Sequence, residues 1–385
     1  MSSRTLQVQV MLHLWSSVVC TVFLLLLCFT GLPLIFHDEI AHWGEPGVSR
    51  LQKSDGRHGT DLDAIAADAQ RRRPGEAIRF LSVDEEGETV HVFLGVTLGA
   101  RENSAVLQYD GWTGGYVRES PLQQGIMRLM FRLHVDLFAG LPGMLFLGGM
   151  GLLFLLSLVS GVVLYGPFMR KLPFGAVRGG YGEKLRWLDL HNLLGIATAF
   201  WALVVGATGV VNTLAVPIFD HWQSTELAAL IEPWRDRPLP NSLTSVQLAV
   251  QAAEAHLPGK ELAFVAFPGT SFAGAHHYGV YVRGKSPLTK RLIMPVMIEA
   301  ERGAISGARE MPWYVSVLKL SQPLHFGDYG GLPLKIVWAL LDLVTIGVLL
   351  SGLYLWWKKR TLPGEQLQAE SEPIDDIGLA PEQEA

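Results

Sequence analysis

Four apolar runs, roughly Leu12–Phe36, Leu137–Tyr165, Leu190–Ile218 and Leu332–Trp357, restrict this 385-residue chain more than any other feature. Each meets or exceeds the ~20 residues that a helix needs to cross a ~30 Å hydrocarbon core. Backbone in lipid must satisfy its own N–H and C=O groups, so the runs read as membrane helices. The apolar residues are concentrated there rather than spread: mean hydropathy is +0.27, yet 17% of residues are charged, which leaves substantial mass outside the bilayer. The first run resembles a secretory signal. Its apolar stretch exceeds the ~7–15 residues of a cleaved core and no clean small-x-small site follows, so it reads as an anchor.

Basic residues orient the spans. Arg170, Lys171, Arg178, Lys184 and Arg186 lie in the loop between the second and third runs, and Lys358-Lys359-Arg360 end the fourth, so both segments read as cytoplasmic. Both termini then lie inside, and two long segments lie outside, in the periplasm of a Gram-negative cell. The expected order is a span at 1–37, an external domain at 38–133, a span at 134–166, a cytoplasmic loop at 167–189, a span at 190–219, a second external domain at 220–324, a span at 325–357 and a tail at 358–385. That tail is acidic and poor in apolar residues, which predicts disorder.

The chain repeats itself. His13 and Thr30-Gly31 recur as His191 and Thr208-Gly209, a constant offset of 178; His134, Gly140-Leu141-Pro142 and Ser160-Gly161 recur as His325, Gly331-Leu332-Pro333 and Ser351-Gly352, a constant offset of 191. Each external segment also holds a helical stretch stopped by Pro-Gly (Leu62–Arg73, then Val246–Leu257). Strands follow it: Ala77–Val83, Thr89–Val96 and Ala105–Tyr109 in the first, and Glu261–Phe267, His277–Val282 and Arg291–Ile298 in the second. A four-helix membrane bundle with two α+β external domains and internal duplication is the predicted fold.

Cysteine usage excludes several chemistries. Cys20 and Cys28 are the two cysteines, eight residues apart on one predicted helix, or ~12 Å at 1.5 Å per residue, too far for a local disulfide. There is no C-x-x-C-H for covalent haem, no C-x-x-C for zinc or iron–sulfur, and no phosphate-binding glycine loop. Metal or redox chemistry falls to histidine.

Ionisable groups at the edge of hydrocarbon face the bundle interior with a partner. Odd-numbered spans start inside, so His13 and His191 share the inner depth; even-numbered spans start outside, so His134 and His325 share the outer one. Two imidazoles at one depth supply both axial nitrogens of a haem iron, which predicts two b-type haems held by His13/His191 and His134/His325. Arg128 and Arg132 are candidate partners for outer haem propionates, and Lys184 and Arg186 for inner ones; their ordinary alternative is contact with lipid headgroups. His37, His42 and His221 are weaker candidates beside Trp43 and Trp222, where an aromatic belt explains them equally well. Trp112, Trp234, Trp313 and Tyr314 read as core residues first and as an external ligand pocket second.

The pattern Leu-His at a span entrance, Thr-Gly near its exit, Leu-His-x5-Gly-Leu-Pro at the next entrance and Ser-Gly at its exit, over residues 6–360, resembles the PepSY-associated transmembrane family. The resemblance implies PepSY-like external domains and a haem b protein of the bacterial inner membrane that passes electrons to ferric siderophore and releases Fe(II) during iron uptake. His13, His134, His191 and His325 match the family's histidine pattern. Membrane lipid and ferric siderophore are the implied partners, with a cytoplasmic or membrane electron donor and no nucleic acid. Two rival classes remain: an envelope binding or regulatory protein that inhibits or senses a peptidase, and a transporter built on paired halves.

Overall fold

A computed structural model describes residues 3–37, 39–40, 60–84, 87–100, 103–120, 125–169, 173–178, 182–286 and 289–361. Four helices are long and apolar enough to cross a membrane, at Ser3–Ile35, Leu141–Pro167, Glu183–Thr213 and Asp328–Lys358. The chain is a multi-pass membrane protein. In order, its elements are α1 Ser3–Ile35, α2 Leu62–Arg72, β1 Ala77–Val83, β2 Thr89–Gly95, β3 Ala105–Asp110, β4 Tyr116–Glu119, α3 Gly125–Val135, α4 Leu141–Met169, α5 Glu183–Thr213, α6 Ala215–Trp222, α7 Val246–His256, β5 Lys260–Ala266, β6 His277–Gly284, β7 Ile293–Glu299, β8 Ile305–Ala308, α8 Trp313–Phe326 and α9 Gly331–Thr361.

Span two begins at Leu141, four residues after its apolar run starts, span four's helix begins at Gly331 beside its run, and both begin after the histidine that was read at their mouth. His134 lies near the end of α3, and the chain turns through Leu137 (φ 52°), Phe138 (φ 60°) and Gly140 (φ 62°) before α4 starts. His325 lies near the end of α8, which stops at Gly327 (φ 79°), and α9 starts at Gly331 (φ 59°). The Gly-Leu-Pro motif is therefore a helix start. Glycine takes the left-handed backbone that admits the new axis, and proline stands in the first turn, where its missing N–H costs nothing. The predicted spans at 134–166 and 325–357 are corrected accordingly, and both outer histidines belong to short helices that precede the spans. Of the predicted acidic tail, residues 362–385 lie outside the described residues.

The chain divides into two compact units: residues 1–25, 153–203 and 341–385, and residues 26–152 and 204–340. The second contains one eight-stranded antiparallel sheet in the order β4-β3-β2-β1-β5-β6-β7-β8. Sequence predicted two separate external domains; instead β1 and β5 pair, with Phe80 opposite Ala266, Leu81 opposite Val265 and Ser82 opposite Phe264. Four strands alone would leave β1 or β5 as a flat apolar edge, and pairing the two edges removes that liability.

Both faces of the sheet are covered. Leu81, Val265, Val280, Val282, Val296 and Ile298 point to a core closed by Ile65 and Ala69 of α2 and Ala249 and Ala253 of α7. The alternate residues Ala266, Tyr281 and Met297 pack against Trp222, Leu227 and Val315. That alternation is the period of two expected of strands. The two covering helices cap each other: Leu62 donates its N–H to Gln247 Oε1 at 3.1 Å, and Val246 donates to Asp63 Oδ1 at 2.8 Å. Unpaired donors of each first turn are thereby met from the opposite half.

One residue makes this sheet acid-sensitive. His277 is 1% exposed, packs edge-on to Trp234 at 4.9 Å between ring centres, and has no hydrogen-bond partner at either nitrogen among the described residues. Burial, reinforced by the charges of His276 and Arg237, lowers its pKa from 6.5 to about 4. The unfolded chain therefore binds the extra proton between those values, so the contribution is complete above pH 6.5 and is lost as pH falls towards 4. At ~1.4 kcal/mol per unit the effect reaches roughly 3 kcal/mol. Thermal melts of the wild type should lose stability across that window while His277→Phe gives a flatter profile; superimposable profiles would refute the assignment.

Candidate functional site

The four histidines come together in two pairs, His13 with His191 and His134 with His325. The His13 and His191 rings have centroids 6.2 Å apart at 69°, and the His134 and His325 rings are 6.2 Å apart at 59°. The first pair lies wholly within the first unit and the second pair within the second. Each pair takes one ring from each half of the sequence.

All four rings share one contact, from Nδ1 to a backbone carbonyl. His13 Nδ1 lies 2.8 Å from the Ser157 carbonyl, His134 Nδ1 3.1 Å from Leu27, His191 Nδ1 3.1 Å from Val348 and His325 Nδ1 3.0 Å from Val205. Each accepting carbonyl stands three residues before the Ser or Thr of a Ser-Gly or Thr-Gly motif. A carbonyl only accepts, so Nδ1 must carry the proton and Nε2 keeps its lone pair. Among the described residues no hydrogen bond reaches any of the four Nε2 atoms.

The glycines of those motifs make room for the rings. A Cβ on Gly31 would sit 3.2 Å from His134 Cε1, one on Gly161 3.0 Å from His13 Cε1, one on Gly209 3.0 Å from His325 Cε1, and one on Gly352 3.2 Å from His191 Cε1. Each repeated motif is thus half of one device, in which a carbonyl fixes the tautomer and a glycine admits the ring. Neither role was legible in the sequence, where the motifs served only as markers of the repeat.

What can such a pair hold? Among the described residues no three His, Cys, Asp or Glu side chains gather closely enough for a metal ion. Two imidazoles on opposite sides of one metal, at metal–nitrogen distances of ~2.0–2.1 Å, place their ring centres ~6 Å apart. The observed separations of 6.2 Å are of that size, so His13 with His191 and His134 with His325 are the residues that would hold such a metal. The Nδ1–carbonyl bonds are the kind of outer support that metal-binding imidazoles use.

The basic candidates are distributed unevenly. Arg132 donates Nε–H to Asp136 at 3.0 Å, so its guanidinium is partly committed. Arg128 and Arg186 are exposed, on α3 and at the start of α5, and Lys184 is half-buried beside Arg186. Arg178 binds Asp189 through its backbone N–H, Nε and Nη2 at 2.9, 3.0 and 2.7 Å, two residues before His191, and the Asp189 side chain is fully buried. Lys335, missed in the sequence, is 8% exposed and sits 3.3 Å from Glu39 and 3.9 Å from Asp328.

The weaker candidates settle into local roles. His37 Nδ1 bonds the Leu34 carbonyl at 2.9 Å, and His221 packs against Tyr314 at 5.6 Å. His42 and Trp43 lie outside the described residues. Trp234 lies between His277 and the Arg237 guanidinium, which is 3.9 Å from its ring centre.

Comparison with known proteins gives one family match: the model of the PepSY-associated TM region covers residues 10–359. An uncharacterized protein of Pseudomonas aeruginosa is 28% identical over 259 residues, which take in 60% of this chain and 63% of the relative. The chain thus spans less than two thirds of that relative.

Proposed function

From the premise that this chain belongs to the PepSY-associated transmembrane family, we propose that it is a di-haem b oxidoreductase of the bacterial inner membrane that reduces ferric siderophore outside and releases Fe(II). The single observation carrying this reading is the matched pair of 6.2 Å histidine separations, each with Nδ1 tied to a carbonyl. When bound, haem supplies one-electron carriage between its ferric and ferrous states. The chain's own residues supply the rest. His13 and His191 would hold one haem through the nitrogen left free of the carbonyl bond, and His134 and His325 the other. Gly31, Gly161, Gly209 and Gly352 keep the rings seated. Siderophore oxygen donors favour hard Fe(III), so reduction weakens their hold on the metal. The orientation, with both termini cytoplasmic, and the internal duplication of the chain belong to the same proposal.

A second reading is favoured by the eight-stranded external sheet and by the lack of a three-ligand metal cluster among the described residues. In it the sheet binds or regulates an envelope protein, and the histidines only join helices. Purification of the full chain from haem-replete cells separates the two. A pyridine haemochrome close to two per chain, with a b-type Soret band, is the expected result, and a colourless protein would overturn the redox reading in favour of the second.

A further inference from the structure

The two rings of each pair are not supported equally. His134 Nδ1 lies 3.1 Å from the Leu27 carbonyl and also 3.0 Å from Thr30 Oγ1; His191 Nδ1 lies 3.1 Å from the Val348 carbonyl and also 3.0 Å from Ser351 Oγ. For their partners the nearest hydroxyls are farther: Thr208 Oγ1 is 3.5 Å from His325 Nδ1, and Ser157 Oγ is 3.4 Å from His13 Nδ1. Ser160 occupies the repeat position of Ser351, yet its hydroxyl bonds the Leu156 and Ser157 carbonyls of its own helix. So every ring has a carbonyl and a hydroxyl within reach of Nδ1, and in each pair the hydroxyl is closer at one ring, His134 or His191, than at its partner.

The direction of the hydroxyl protons decides what those oxygens do. Thr30 donates to the Leu26 carbonyl at 2.8 Å, and Ser351 donates to the Val348 carbonyl at 2.8 Å. Each hydroxyl carries one proton, so its lone pairs are left to accept the Nδ1–H of the ring. Acceptors on the far nitrogen fix the ring's orientation and raise the basicity of the nitrogen that faces the metal.

We propose that Thr30 and Ser351 are positioning residues, whose hydroxyl oxygens are second acceptors for His134 and His191 and make the two axial imidazoles of each centre unequal. The inference rests on the bis-histidine haem reading above. It assigns Thr30 to the His134/His325 centre and Ser351 to the His13/His191 centre, so each substitution acts on one centre and leaves the other as an internal reference.

The test uses the full-length haem-loaded protein in detergent, as wild type, Thr30→Val, Thr30→Ser and Ser351→Ala. Haem content is measured by pyridine haemochrome, haem release by transfer to excess apomyoglobin, and midpoint potentials by optical titration of the α band. Thr30→Val should weaken haem retention at one centre by about tenfold to a hundredfold, the range for outer-shell partners. Its potential should rise, because the ferric form loses more; a tenfold ferric-over-ferrous change is about 59 mV for one electron. Thr30→Ser should restore both values, and Ser351→Ala should move the second centre instead. Unchanged release and potentials at full haem content would overturn the proposal while leaving the haem reading intact. A colourless wild type would instead end the haem reading. Should Thr30→Val fail to accumulate, Ser351→Ala carries the same test alone.

Discussion

Alanine at His134 or His325 is expected to remove one haem per chain, and alanine at His13 or His191 to remove the other. The reasoning is geometric. Each ring lies 6.2 Å from its partner between centres, and the two partners come from different halves of the sequence. Removing either imidazole leaves a single protein nitrogen, and among the described residues no third ligating side chain stands by to replace it. Pyridine haemochrome per mole of protein, combined with the α-band titration, reads the result. The single variants should fall from two haems to about one, and His13→Ala with His134→Ala should carry none. Loss of the same centre from His13→Ala and His134→Ala would break the pairing, whatever the total haem content.

Side chains placed in the glycine cradles should come next in size. A Cβ at Gly161 or Gly209 would lie 3.0 Å from a ring carbon, closer than ordinary contact, so Gly161→Ala and Gly209→Ala force each ring to shift by a few tenths of an ångström. Valine adds two further carbons against a ring whose Nδ1 is already anchored to a carbonyl, and overpacked sites of this kind cost about 1–3 kcal/mol or more. Gly161→Val should abolish haem at the His13/His191 centre only, and Gly209→Val at the His134/His325 centre only, with the alanine variants intermediate. Measured haem content that is indifferent to valine at both positions would show that the rings have room the structure does not give them. Circular dichroism of the same samples separates a lost centre from a lost fold.

Much of this architecture was legible in the residues. Long uninterrupted apolar runs gave the four spans, and strand alternation placed six of the eight strands within two residues of their ends. Pro-Gly marked the ends of α2 and α7. What escaped has identifiable causes. β4 and β8 are four residues each and have no run of apolar alternation to announce them. The helices carrying His134 and His325 merge with the apolar runs behind them, and the first break turns on Leu137 and Phe138, two residues with positive φ that no local rule expects to hold it. The single sheet was hidden because β1 and β5 read as ordinary strands, and nothing in a strand's own residues says which neighbour it takes. At the candidate site the grouping of the four histidines into these two pairs was readable from their places in the repeat. The carbonyls of Leu27, Ser157, Val205 and Val348 were not, since backbone groups leave no mark in a sequence.

The β1–β5 seam also sets a timetable for the newborn protein. Phe264 follows its partner Ser82 by 182 positions, and two membrane crossings intervene. At ~5–20 residues per second of synthesis, the first four strands wait roughly ten to forty seconds for the second four. During that interval β1 presents a bare hydrogen-bonding rim, the period when escort by a chaperone matters most and when two unfinished copies are best placed to join wrongly.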